Sequence, residues 1–599
     1  VQAVALPLTV AITAYGAFSV FRTYDDEGTL MLLVRHVLDG HRLYDDVLSA
    51  YGPVYYLYEV FLHGMLRLPL THDVTRMAAI AHLTLTAVLS AAIVFAVSRR
   101  LWLAALAHVL VVFELEFLLS EPGHPQELVV LLVALVVLLL ALEDARSRLV
   151  LPAVGVIVAA IVLVKVNVGA LTAISTSAAL IAMARPSRTV TALRATSTAL
   201  VIVLPWLLMW SDLDAGARTL AYLMSTAAAG VALVSLLGPS GERPVGDLVA
   251  VAGWGVVGLV GLVGAIVLRG TSVVALAYSL VVLPQRFTAT ARYALWLYPW
   301  TPAACAVALL LAALCRLGGR QRLRAGAPAA LVALARFAFA YLVVTNVLRF
   351  DPTFLMSGLD PFAWLVLLPV HGIPPEEEHH AARLALVWTA VLQPLQTYPI
   401  AGTHLFVGHF LLAVCGVLAL GDGLAWVRAI VPGARHRLPR ALATTAALAM
   451  LAHVGYGQLA GARRRYAELA PLSFAGAERI RVDASEQHAL HTLVDALEEN
   501  CDTFLAYPGF NSLYFWTGMR PPTLDVMSHM VELFPEERRE AMIRALAAEP
   551  RGCVILYPSL WPPNRAFLER IRRDFVVHSR PAGYTLLVRK DRVGGGGPG

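Results

Sequence analysis

Long apolar runs recur along this chain, and they constrain its fold more than any other feature. A helix needs ~20 apolar residues to cross ~30 Å of hydrocarbon, and about thirteen stretches approach that length. They cover 1 to 20, 74 to 98, 101 to 119, 127 to 142, 149 to 165, 169 to 184, 195 to 210, 218 to 238, 247 to 268, 293 to 315, 329 to 347, 404 to 420 and 441 to 460. At 599 residues, 58% hydrophobic and 15% charged, with a mean hydropathy of +0.68, a soluble enzyme is excluded. The expected fold class is a polytopic α-helical membrane protein with a small C-terminal external α/β domain. Residues 1–462 would form the membrane domain, including an external loop at 21–73. Residues 463–592 would form the α/β domain, and 593–599 a disordered tail.

Short loops rich in arginine stay cytoplasmic. Arg99 and Arg100, Arg146 and Arg148, Arg185 to Arg194, Arg243, Arg316 to Arg324 and Arg428 to Arg440 fall on alternate loops. That places the 21–73 loop and the C-terminal domain outside and accounts for the formal charge of +6 without a nucleic-acid partner. Two stretches, 269 to 292 and 349 to 403, must make no net crossing if this alternation holds. Prolines cut the second into short pieces, which survive at membrane depth only when protein or a wet cavity covers them. Lysine occurs only at Lys165 and Lys590, so arginine carries nearly all the positive charge, a bias typical of GC-rich bacterial genomes.

From about Arg463 helices and strands alternate. Ser485 to Glu499 and Pro535 to Ala548 read as helices, Thr503 to Tyr507 and Val554 to Tyr557 as strands, and Phe575 to Val588 as a hairpin. Cys501 and Cys553 each precede a strand; adjacent parallel strands would bring them together as a disulfide or as two buried thiols.

The loop after the first span carries the chemistry. Tyr24-Asp25-Asp26-Glu27-Gly28 opens it. Leu30, Leu33, Val34, Val37 and Leu38 then mark one apolar face of a surface helix that ends at Asp39-Gly40. Consecutive acids cannot all face one way, so at most two of Asp25, Asp26 and Glu27 converge on a substrate. A partly desolvated carboxylate there could act as a general base, with a second orienting it or holding a divalent cation. The alternative is a solvated acidic cap at a helix start.

Asp26-Glu27-Gly28, Leu43-Tyr44-Asp45-Asp46-Val47 and Tyr51-Gly52-Pro53 resemble the first external loop of bacterial glycosyltransferases of the GT-C superfamily, relatives of the protein O-mannosyltransferases and the aminoarabinose transferase. The resemblance implies that Asp26 is the catalytic base with Glu27 beside it. It implies a polyprenyl-phosphate sugar as donor, a glycan, lipid or protein hydroxyl as acceptor, and inversion at the anomeric carbon. The location implied is the bacterial inner membrane, with the site facing out.

Cations must then meet the departing phosphate. Lys165, in Lys165-Val166-Asn167-Val168-Gly169, and Arg292 resemble family positions, and Arg286 is a further candidate. Their alternatives are a snorkelling lysine and interfacial anchors. Asp46, Tyr51 and Gln396 complete the expected substrate-binding set. His124 is the candidate ligand for a divalent metal such as Mg, Mn or Zn, against the alternative of a solvated loop histidine. The run Glu376-Glu377-Glu378-His379-His380 reads as a solvated loop. No phosphate-binding loop and no Gly-x-Ser-x-Gly occurs. A transporter or lipid flippase for envelope precursors is the rival reading, and a non-catalytic envelope scaffold the third.

Overall fold

The computed structural model describes residues 2–142, 149–210, 216–237, 241, 243–290, 297–323, 326–370, 379–400, 402–430, 455–557 and 564–593. Among them nine helices are long and apolar enough to cross a membrane, and five shorter apolar helices accompany them. The chain runs through α1 (Gln2–Ala17), α2 (Asp26–Leu38), α3 (Pro53–Val60), α4 (His72–Ser98), α5 (Leu101–Leu115) and α6 (Pro125–Leu142). It continues through α7 (Val150–Val164), α8 (Val166–Met183), α9 (Arg188–Met209), α10 (Ala217–Ser235) and α11 (Gly246–Leu268). Every span expected up to residue 420 overlaps a helix, although the one expected at 293 to 315 is helical only from Thr301 and runs on to Arg322. The 441 to 460 span falls mostly outside the described residues, as do the tail and most of the 376 to 380 run.

The segment after α11 is helical from Val273 to Thr290, as α12 (Val273–Ala277), a π turn and α13 (Leu283–Thr290). Next come α14 (Thr301–Arg322) and α15 (Gly326–Leu348), then a broken stretch from α16 (Pro352–Phe354) through π and 3-10 turns to Leu367. One element there went unforeseen: α17 (His380–Leu392) is buried along most of its length. After a 3-10 turn at Gln393–Thr397, α18 (Thr403–Ile430) runs well past its expected end.

The broken stretch keeps its carbonyls satisfied, as backbone at membrane depth must. Arg336 of α15 donates to the carbonyls of Leu365, Leu368 and Pro369, and Arg383 of α17 to that of Val366. Both arginines face Asp422 of α18, Arg383 at 2.6 Å and Arg336 at 3.6 Å. By contrast α9, α11 and α14 leave most of their apolar surface exposed, as helices facing lipid do.

Residues 455–468 form α19, which leads into the C-terminal unit. There β1 (Ala470–Pro471) and β2 (Arg481–Val482) pair antiparallel ahead of α20 (Ala484–Asn500), β3 (Thr503–Tyr507) and α21 (Ser512–Trp516). Then follow α22 (Glu536–Ala548), β4 (Gly552–Leu556), α23 (Arg565–Asp574), β5 (Phe575–Ser579), β6 (Thr585–Arg589) and α24 (Lys590–Val593). The main sheet has the order β3-β4-β6-β5, with β3 and β4 parallel. Cys501 and Cys553 form a disulfide at the start of this parallel pair.

The C-terminal unit seats on the segment after α1 and on the start of α4. The Arg481 amide donates to the Phe18 carbonyl, the Asp73 amide to that of Gly476, and the Arg479 amide to the Asp73 carboxylate. Phe21 lies against the rings of Phe510 and Trp516, and the Arg35 guanidinium lies 3.8 Å from the centre of the Phe515 ring.

Candidate functional site

The three consecutive acids at the start of α2 have three different fates. Asp25 sits outside the helix with φ +59° and caps it by accepting the Gly28 amide at 2.9 Å. An N-cap acid stabilises a helix by about 1 kcal/mol. Its carboxylate also accepts the Ser512 amide at 2.5 Å and the Ser512 hydroxyl at 2.6 Å. Burial pushes its pKa up to about 7 in spite of these donors.

Glu27 turns to the opposite side and is buried against Arg76 of α4, which reaches its two oxygens at 3.0 and 2.7 Å. Arg76 also donates to the carbonyls of Ala17 and Val20 at the end of α1. Glu27 was expected beside the catalytic base. It is committed instead to a structural ion pair that fastens α2 to α1 and α4.

Asp26 remains. Among the described residues its side chain makes no hydrogen bond and no ion pair, and it is half-buried. Burial raises its pKa well above the ordinary aspartate value, and the neighbouring charges of Glu121 and Asp25 raise it further.

Glu121 is the partner that the sequence did not single out. It lies in the turn between α5 and α6, where Tyr24 Oη donates to one oxygen at 3.1 Å and Thr403 Oγ1 to the other at 3.0 Å. Burial raises its pKa, while those two donors and the charges of Lys165 and Arg22 pull it down.

Lys165 stands at the break between α7 and α8, in extended backbone with φ −152° and ψ 106°. The break is held from outside: the Gly52 amide donates to the Val164 carbonyl at 3.0 Å. A Cβ at Gly52 would lie 2.0 Å from the Leu163 oxygen, so only glycine permits the approach. Lys165 Nζ donates to His404 Nε2 at 3.0 Å, and Gln396 Nε2 to the His404 carbonyl at 2.9 Å. Lys165 therefore stands within electrostatic reach of Glu121, which in turn faces Asp26.

Tyr51 and His124 close the site. His124 Nδ1 accepts the Gln126 amide at 3.3 Å, so Nε2 carries the proton and donates to Tyr51 Oη at 2.9 Å. Burial, and then the charge of Lys165, holds the ring well below the usual histidine range. With both nitrogens engaged His124 does not fit the role of metal ligand. Among the described residues no group of three or more His, Cys, Asp and Glu gathers to hold a metal ion.

Of the expected site residues, the structure brings Asp26, Tyr51, Lys165 and Gln396 together. Asp46 is elsewhere, held by the amide and guanidinium of Arg42 in a partly exposed turn. Arg286 is exposed and donates to Tyr278 Oη at 3.0 Å. Arg292 lies outside the described residues. Beside the cluster, next to Ser120, a groove of about 490 Å³ runs between Ile12, Phe117, Phe350 and Phe406, with Arg22, Glu116 and Arg465 among its lining residues.

No family model and no curated protein matches the chain. Its fold is similar to the crystal structure of the Archaeoglobus fulgidus oligosaccharyltransferase in complex with Zn and sulfate, at 10% identity and a TM-score of 0.39, over 92% of this chain and 67% of that one.

Proposed function

We propose that this protein is an inverting, membrane-embedded glycosyltransferase of the GT-C type that takes a sugar from a polyprenyl-phosphate donor to an acceptor hydroxyl on the external face of the bacterial inner membrane. The observation that carries the reading is Asp26: of three adjacent acids, it alone is left without a partner, half-buried, and beside a second acid, Glu121, that lies within reach of Lys165.

Asp26 takes the acceptor's hydroxyl proton as that oxygen attacks the anomeric carbon from the face opposite the phosphate. The bond from the anomeric carbon to the phosphate oxygen breaks, and its electron pair leaves with the phosphate. Negative charge builds there, and Lys165, oriented by His404, is the cation placed to receive it. Glu121 keeps Asp26 basic: a negative neighbour raises the pKa of the base toward the working pH. Tyr24 and Thr403 fix Glu121 in turn. The apolar groove with arginines at its edge suits an anionic amphiphile reaching the site from the bilayer.

The test is release of polyprenyl phosphate by purified protein from a panel of polyprenyl-phosphate hexoses and pentoses. Wild type should release it from at least one donor, and Asp26→Asn from none. Equal release by both removes the reading, and solute flux in proteoliposomes without release would favour the transporter.

A further inference from the structure

Two residues hold the neighbours of Asp26, and they come from opposite ends of the chain. Arg76 holds Glu27 from α4, and Ser512 holds Asp25 from the C-terminal unit. The Ser512 contact has the geometry of a latch. Its amide and hydroxyl take both oxygens of Asp25, and its hydroxyl oxygen accepts from His72 Nε2 at 2.8 Å. Next to it Asn511 Nδ2 donates to Thr29 Oγ1 at 2.8 Å, and that hydroxyl donates to the Asp25 carbonyl. The two helices touch at Gly28, where a Cβ would lie 2.3 Å from the Ser512 nitrogen.

The set of Ser512, His72 and Asp25 resembles a nucleophile with its base, but Ser512 is fully buried and His72 and Asp25 are each 1% exposed. No substrate reaches that hydroxyl. Its hydrogen bond runs to the carboxylate and not to the imidazole, so the serine is not being activated.

We propose that Ser512 is a positioning residue for catalysis: by clamping Asp25 it fixes the first turn of α2 and so the direction of the Asp26 carboxylate, which makes the C-terminal unit a component of the active site. This rests on the reading of Asp26 as the base. An aspartate one residue past a cap moves with the cap. A catalytic group is useful only within ~0.5 Å of its productive geometry, which neighbouring hydrogen bonds must enforce. Asp25 adopts a left-handed backbone that an L residue holds only when its surroundings insist on it, and Ser512 supplies two of the three donors to its side chain.

The experiment uses the full-length protein in detergent, with polyprenyl-phosphate hexoses and pentoses as probes. Ser512→Ala removes the hydroxyl from Asp25 and His72. Gly28→Ala forces the helices apart from the other side. Both should lower kcat about 10- to 100-fold with KM for the donor within about twofold.

Both should also move the acid limb of kcat to lower pH, because a displaced Asp26 loses the burial and the Glu121 field that raise its pKa. The groups facing Asp26 are Asp25 and Tyr24 on its own segment, Glu121 and Tyr51 from the loops, and Tyr557 from the C-terminal unit. None of these is altered in either variant. Asp73→Asn, at the separate contact with Arg479, serves as control and should keep wild-type kcat.

If Asp26→Asn abolishes turnover while Ser512→Ala and Gly28→Ala keep wild-type kcat and acid limb, the latch is overturned and the glycosyltransferase reading stands. If Asp73→Asn loses kcat as they do, docking in general is at stake and the latch is likewise overturned. Wild-type release by Asp26→Asn overturns both.

Discussion

Glu27 and Arg76 meet through two short bonds, 3.0 and 2.7 Å, with both side chains out of water. Removing one member of such a pair leaves a buried charge uncompensated, at a cost of about 3–5 kcal/mol. Glu27→Gln should therefore lower the melting temperature in detergent, while molecules that remain folded keep most of their turnover. A variant that melts like wild type but has lost turnover would return Glu27 to the chemistry.

Asp26→Asn should lower sugar transfer about 10²- to 10⁴-fold without changing the melting curve appreciably, because the side chain supports no other group. Its raised pKa fixes the pH dependence. A base works when ionised, so activity is present above the pKa of Asp26 and lost as pH falls through it. Glu121→Gln removes the largest charge that raises this pKa. The acid limb of the Glu121→Gln profile should move to lower pH, and a limb that stays in place would show that the two carboxylates do not communicate.

Lys165→Ala should lower kcat about 10²- to 10³-fold, the range for a cation or donor aimed at developing charge. His404→Ala, which releases the lysine, should fall between it and wild type. Burst measurements of phosphate-lipid release distinguish a slower chemical step from weaker donor binding.

Asp46→Ala and Arg286→Ala should both leave turnover within about twofold of wild type, since each removes a contact of a kind worth little at an exposed surface. Steady-state assays across the donor panel check this. A larger loss in either would extend the site beyond the cluster described above.

Period and length made the helices legible: among the described residues the apolar runs became helices, with ends off by up to ten residues at α9, α14 and α18, and the β3 strand matched residue for residue. The one unforeseen buried helix, α17, contains Arg383, whose charge interrupts an otherwise apolar pattern and makes sense only once Asp422 faces it. The same limit applies at the site. Adjacency dictates that Asp25, Asp26 and Glu27 diverge, but which of them stays unpartnered is decided by Arg76 and Ser512, and no local pattern carries that. Lys165 was conspicuous as one of two lysines. Glu121 and His404 were not, although an acid between an apolar helix and a proline-broken turn was a signal available in the sequence. Asp46 and Arg286 have local partners, Arg42 and Tyr278, that the sequence pattern did not reveal, because a charge beside aromatics looks alike whether it faces a substrate or its own turn.

The clasp of Asp25 by Ser512 joins residues 487 positions apart. At ribosomal rates of 5–20 residues per second, the acid waits roughly 25 to 100 seconds for its partner to be made. A chain that stops short of Ser512 keeps only the local Gly28 amide on Asp25 and lacks the other two donors. On the reading of Asp26 as the base, turnover would then wait until the C-terminal unit has been made and docked.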